Sequence, residues 1–164
     1  MIVSCPAFAH GVIPDRFGKR SKDKLHGMPT RSFAVRIEQA PVETVSYALL
    51  FDDPDAAPFC GFPWVHWTVA NLTKPVIEED GSRNNPDFIQ GVNSWYEADG
   101  SQVPADYSCF GGPAPPKGTH DYRLRVWALD TTLELQPGFA LAQLEHAIEG
   151  HILATVQLNA RYSA

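Results

Sequence analysis

A chain of 164 residues, 44% hydrophobic and 20% charged, has the size of one globular domain. It can bury roughly 70% of its unfolded surface without disulfide or metal staples. This composition excludes disordered and collagen-like classes, while 12 glycines and 14 prolines point to many turns. A net charge of −6 with neutral histidine argues against sequence-independent nucleic-acid binding, which rests on Lys and Arg neutralising phosphates.

No apolar stretch approaches the ~18 residues of a membrane span, and the small basic stretch Arg16 to Lys24 reads as a solvated loop. Met1 to His10 lacks a basic start followed by a long apolar run, so no secretory signal is expected. The cysteines Cys5, Cys60 and Cys109 show no CxxC or other ligand spacing. They read as free thiols packed as small apolar residues in a reducing compartment, which predicts a cytoplasmic protein.

Along the chain, Phe33, Val35 and Ile37 alternate with Ala34 and Arg36, as in a half-buried strand. Val45 to Phe51 is a denser apolar run and reads as a strand buried on both faces. Two further stretches read as irregular, about Lys74 to Asn93 and about Trp95 to Thr119, and long loops of this kind are commonly functional. Between the first two strands and these loops, Trp64 to Ala70 is aromatic and β-branched, a third strand. Tyr122 to Leu129 is a fourth, and Leu133 with Leu135 a short fifth. After the Pro137-Gly138 turn the period changes: Leu141, Leu144, Ile148 and Ile152 lie on one helix face. Gly150 marks its end, and period two returns from Ala154 to Tyr162. These elements predict a mainly antiparallel β domain over residues 1–164, with two sheets packed face to face and short C-terminal helical structure.

Three polar clusters fall at strand ends: Asp53-Pro54-Asp55, then His66 between Trp64 and Trp67, then a Pro/Gly-rich loop from Gly111 into His120-Asp121-Tyr122. Singly, each has a plain explanation as an Asx turn, a core histidine or a stiff connector. Strand alternation puts Trp64 with His66, and His120 with Tyr122, on common faces. If both strand ends meet the Asp53 to Asp55 turn, they form a small concave site. Imidazole and phenol donors suit an anionic oxygen cluster, with a carboxylate behind an imidazole to fix its orientation.

These residues resemble the phosphatidylethanolamine-binding protein family, which includes the Raf kinase inhibitor proteins and plant flowering regulators, and its bacterial branch above all. The resemblance is carried by Asp53-Pro54-Asp55-Ala56-Ala57-Pro58, by Trp64-Val65-His66-Trp67, and by Gly112-Pro113-Ala114-Pro115-Pro116-Lys117-Gly118-Thr119-His120-Asp121-Tyr122. Ala128-Leu129-Asp130 and Gly150-His151-Ile152-Leu153-Ala154 add to it, so it runs roughly from Tyr47 to Tyr162. It implies a β-sandwich-like fold and a pocket for phosphate or phosphoryl head groups. The pocket positions carried over are Asp53, Asp55, Trp64, His66, Pro116, His120 and Tyr122, with Gly112 beside them. Three features depart from the family pattern. Ser32 to Ile37 lacks the usual Pro and Trp, Asp121 stands where Arg is common, and Trp95-Tyr96 replaces a Gly and could overhang the pocket.

The resulting expectation is a binding or regulatory protein whose ligand is phosphate, a phospholipid head group, a nucleotide or a phosphorylated partner. Modulation of signalling proteins is what the resemblance alone adds, and these residues give kinase inhibition no support. No catalytic residue, metal or cofactor is expected, and the chain could be a monomer or a homodimer. Two alternatives stand beside this one. The first is a hydrolase, metal-dependent or acid–base, built on the His/Asp cluster, although no HExxH or GxSxG supports it. The second is an interaction scaffold with a vestigial pocket. Cys60 and Cys109 are expected near the motifs in sequence only. His151 is expected to bond a backbone carbonyl at the helix end.

Overall fold

The computed structural model describes residues 1–84, 87–98 and 103–164; residues 85, 86 and 99–102 of the two irregular stretches lie outside them. In chain order the strands are β1 (Ile2–Ser4), β2 (Lys24–Leu25), β3 (Met28–Pro29), β4 (Val35–Glu38), β5 (Ser46–Asp53), β6 (Trp64–Leu72), β7 (Val76–Ile77), β8 (Ile89–Gln90), β9 (Thr119–Leu129) and β10 (Ile152–Ser163). The helices are α1 (Ala57–Cys60), α2 (Gly81–Asn84), α3 (Trp95–Ala98) and α4 (Leu141–Ile148). Antiparallel pairing orders one sheet as β10-β9-β5-β6-β8 and a second as β1-β4-β7, with β2 and β3 as a separate hairpin.

β5 lies in the middle of the larger sheet, and all eight of its residues are buried. That explains why its sequence is continuously apolar until Asp52-Asp53. Its alternate residues feed two cores. Tyr47, Leu49 and Phe51 join Val3, Val35, Ile37 and Ile77 of the smaller sheet, so the two sheets pack face to face. Ala48 and Leu50 face the other way, where Leu144 and Ile148 of α4 cover them together with Leu133 and Phe139. No helix among the described residues is long and apolar enough to cross a membrane.

The structure corrects several expectations. Leu133 and Leu135 do not form a strand: Asn71 Oδ1 accepts from the Leu133 N–H while Asn71 Nδ2 donates to its carbonyl. The backbone groups a ladder would use are thus taken by a side chain. Ile152 belongs to β10, paired with Leu129, because Gly150 at φ +79 stops the helical path first. The stretch from Lys74 to Asn93 contains β7, α2 and β8, and the following one contains α3. His151 Nδ1 bonds the Asp130 carboxylate at 2.8 Å rather than a carbonyl. Cys5, Cys60 and Cys109 are free thiols, and burial pushes Cys5 and Cys109 up to about 12.

Candidate functional site

β5, β6 and β9 are neighbours, and they deliver three motif segments to one end of the larger sheet. Asp53 ends β5, Trp64 and His66 begin β6, and His120 and Tyr122 begin β9. Alternation sends these five side chains to the same side. They line a cavity of about 310 Å3, closed by Ala114, Pro115 and Pro116 from the loop before β9. Asp121, by contrast, is exposed.

Of the eight motif positions, six line this cavity: Asp53, Trp64, His66, Pro116, His120 and Tyr122. Asp55 does not. Its Oδ2 accepts the Asp121 backbone N–H at 2.8 Å and so fastens the turn after β5 to the start of β9. Gly112 also stands outside the lining. Its N–H goes to the Pro29 carbonyl at 2.8 Å, and a Cβ there would lie 1.9 Å from the Phe17 carbonyl oxygen. That glycine is a packing requirement, and its N–H is not available to an anion.

Six lining residues lie outside the eight motif positions: Ala114 and Pro115 of the loop, Ala56, Phe59 and Cys60, and Trp95, expected only as an overhang. Ala56, Phe59 and Cys60 arrive through the turn Pro54–Ala56 and the short α1, which turns positions 56, 59 and 60 to one face. Cys60 therefore meets the motifs in space as well as in sequence; its Sγ lies 3.2 Å from the Ala56 and Phe62 carbonyls, the orientation of a donor. Trp95 on α3 stands edge-on to His66 and to Trp64, with ring centroids at 5.2 and 5.3 Å. The expected overhang is real for Trp95, whereas Tyr96 turns to the opposite side of the sheet.

The two imidazoles are held differently. His120 Nδ1 donates to Asp53 Oδ2 at 2.7 Å with both side chains buried, and Phe59 stacks on its ring at 6.0 Å. His66 Nδ1 donates to the Gly111 carbonyl at 2.6 Å, among the rings of Phe51, Trp95 and Tyr122. Burial pushes His66 down to about 4, against the weaker pull of the Gly111 carbonyl and the Asp53 and Asp52 charges. A neutral ring with its hydrogen on Nδ1 leaves Nε2 as an acceptor. His66 is thus an acceptor in this cavity, not the donor expected from its residue type.

The donors are elsewhere. The Tyr122 hydroxyl, which lies beside the Asp53 carboxylate, and Trp64 Nε1 are buried and make no well-formed hydrogen bond among the described residues. Burial, and then the nearby Asp53 charge, raises the Tyr122 phenol, so its proton stays on the oxygen. Among the described residues no three His, Cys, Asp or Glu side chains converge to hold a metal ion. The cavity thus combines two buried donors, an oriented His120–Asp53 pair, one imidazole acceptor and an apolar rim.

The sequence profile described as Phosphatidylethanolamine-binding protein matches residues 4–163. The chain is 39% identical over 161 residues to protein YxkA of Bacillus subtilis, itself uncharacterised, covering 93% of this chain and 96% of that one. It is 33% identical over 165 residues to a UPF0098 protein of Chlamydia muridarum, covering 99% and 98%. Among solved structures, the phosphatidylethanolamine-binding protein homologue CT736 of Chlamydia trachomatis superposes with a TM-score of 0.79 at 26% identity, covering 99% of this chain and 96% of that one. YbcL of Escherichia coli shares the fold, with a TM-score of 0.78 at 24% identity and coverage of 99% and 97%. With sheets, strand order and motif positions in place, the chain belongs to the phosphatidylethanolamine-binding protein family.

Proposed function

We propose that the cavity binds the phosphoryl head group of a small ligand, and that the protein works by binding rather than by catalysis. One observation carries this reading: Tyr122 and Trp64, both lining the cavity, hold a buried O–H and a buried Nε1–H that make no well-formed hydrogen bond among the described residues. An unsatisfied buried donor costs about 1–3 kcal/mol. A ligand that brings acceptor oxygens recovers that cost twice. A phosphate monoanion suits the site further, because its oxygens accept from Tyr122, Trp64 and His120 while its P–O–H can donate to His66 Nε2. The ring of His120 is fixed for this by Asp53.

The test is calorimetric titration of inorganic phosphate and O-phosphorylethanolamine at pH 6 and pH 8. Tyr122→Phe removes one donor and keeps the ring, so affinity should fall about tenfold, the worth of one hydrogen bond to a charged group. Binding should be tighter at pH 6. Burial keeps His66 neutral at both values, so this difference reports the protonation of the ligand, whose monoanion carries the P–O–H donor. No heat and no thermal shift with either compound overturns the reading.

A further inference from the structure

The residues that alternate with the first site build a second one. Asp52 precedes Asp53, Val65 lies between Trp64 and His66, and Arg123 follows Tyr122. Each points to the opposite face of the sheet from its neighbour. There, beyond the end of the face that α4 covers, a cavity of about 520 Å3 opens between the Phe62-Pro63 segment, Tyr96 of α3 and the start of α4. We propose that this reverse-face cavity is a binding site for a small monocarboxylate carried on an apolar body.

Arg123 and Arg125, two apart on β9, both reach the buried Asp52 carboxylate: Arg123 through Nε at 3.1 Å and through Nη2, Arg125 through Nη2 at 3.2 Å. Two cations on one anion leave a net positive charge on this trio of side chains. Arg125 Nε is buried and bonds nothing among the described residues, so its N–H is an unpaired donor beside the Nη2 that serves Asp52. A carboxylate is the group whose planar pair of oxygens fits the guanidinium fork.

Charge and lining narrow the ligand further. The other charged group of the lining is Glu145 of α4, which is exposed. It opposes a dianion more than a monoanion, which disfavours a phosphomonoester. Phe62, Val65, Val92 and Leu141 supply apolar surface next to the guanidiniums. A cavity of this size is typical of small-molecule sites. An aromatic or branched aliphatic body would lie on these residues while its carboxylate meets Arg125.

Benzoate is the probe, followed in the 1H–15N spectrum of the intact protein through the Arg125 Nε–H signal and the Leu141 and Ala142 amides. The proposal expects saturable shifts at these positions. Benzamide, the neutral isostere, should bind at least about tenfold more weakly, since it lacks the charge. Arg125→Lys keeps a positive charge but not the fork, and it should weaken benzoate by about tenfold as well. The proposal is overturned by shifts confined to His120 and Tyr122, by the absence of saturable shifts, or by benzamide binding as well as benzoate. Tighter binding of phenyl phosphate than of benzoate at Arg125 overturns the monocarboxylate assignment. The wild-type titration decides the matter even if the variant does not fold.

Discussion

His120 gives its Nδ1 hydrogen to Asp53 across 2.7 Å, and the other oxygen of Asp53 accepts the Ala56 N–H at 3.2 Å. One carboxylate thus fixes an imidazole in the cavity and caps the turn that carries Ala56 into its wall. Removing it leaves a buried donor unpaired and a turn uncapped. Asp53→Ala should therefore cost about 2–4 kcal/mol of stability. Asp53→Asn keeps an oxygen for only one of the two donors and should cost about half as much. Urea denaturation at neutral pH measures both, and equal losses would mean that the charge, not the count of acceptors, holds the site.

His66 sets a different limit. Burial pushes its imidazole from the ordinary 6.5 down to about 4, so the unfolded chain takes up a proton between these values that the folded chain refuses. Stability therefore rises with pH across this window. The contribution of the neutral ring is fully present above pH 6.5 and is lost as pH falls towards 4, about 3 kcal/mol in all. His66→Gln removes the titration and keeps a side-chain N–H for the Gly111 carbonyl. It should be less stable at pH 7 yet show a flatter profile from pH 6.5 to 4. An unchanged acid slope in the variant would assign the loss to other groups.

What could be read in the sequence depended on element length. β5, β6, β9 and β10 have eight to twelve residues each, enough for a period or a continuous apolar run to show. β2, β3, β7 and β8 have two residues each and carry no period at all. Leu133-Glu134-Leu135 had the alternation without the ladder, because a distant side chain, Asn71, claimed its backbone. The site divides in the same way. Motif residues at the starts of long strands were legible, whereas Phe59, Cys60 and Trp95 come from helices of four residues. Residue type also said nothing of tautomer: only the Gly111 carbonyl, brought in by the fold, makes His66 an acceptor.

Gly112 separates motif from mechanism. A Cβ at this position would lie 1.9 Å from the Phe17 carbonyl oxygen and 2.9 Å from Pro29 Cβ, and backbone cannot swing aside as a flexible side chain can. Gly112→Ala should destabilise the fold by roughly 2–4 kcal/mol through overpacking. Gly118→Ala is the comparison: φ is +71 there with open space around it, so only about 1 kcal/mol of backbone strain is expected. Thermal unfolding of the pair ranks them, and the reverse order would refute the packing account.

Trp95 is the wall that sets what the first cavity admits. Its ring stands at 87° to Trp64 and 72° to His66, and its backbone N–H is held by Asn93 Oδ1 at 3.0 Å. The indole fills space beside the imidazole acceptor while the Asn93 contact fixes the backbone that carries it. Trp95→Ala should lower stability by about 1–3 kcal/mol, less than a fully buried tryptophan would. It should also widen the cavity on the His66 side, where a ligand bulkier than phosphate would have to pass. The ratio of adenosine monophosphate affinity to inorganic phosphate affinity should then rise about tenfold, a gain typical of steric relief in a pocket. Calorimetry of both ligands on wild type and variant measures that ratio. A parallel fall in both affinities would mean that Trp95 supports the site without selecting its ligand.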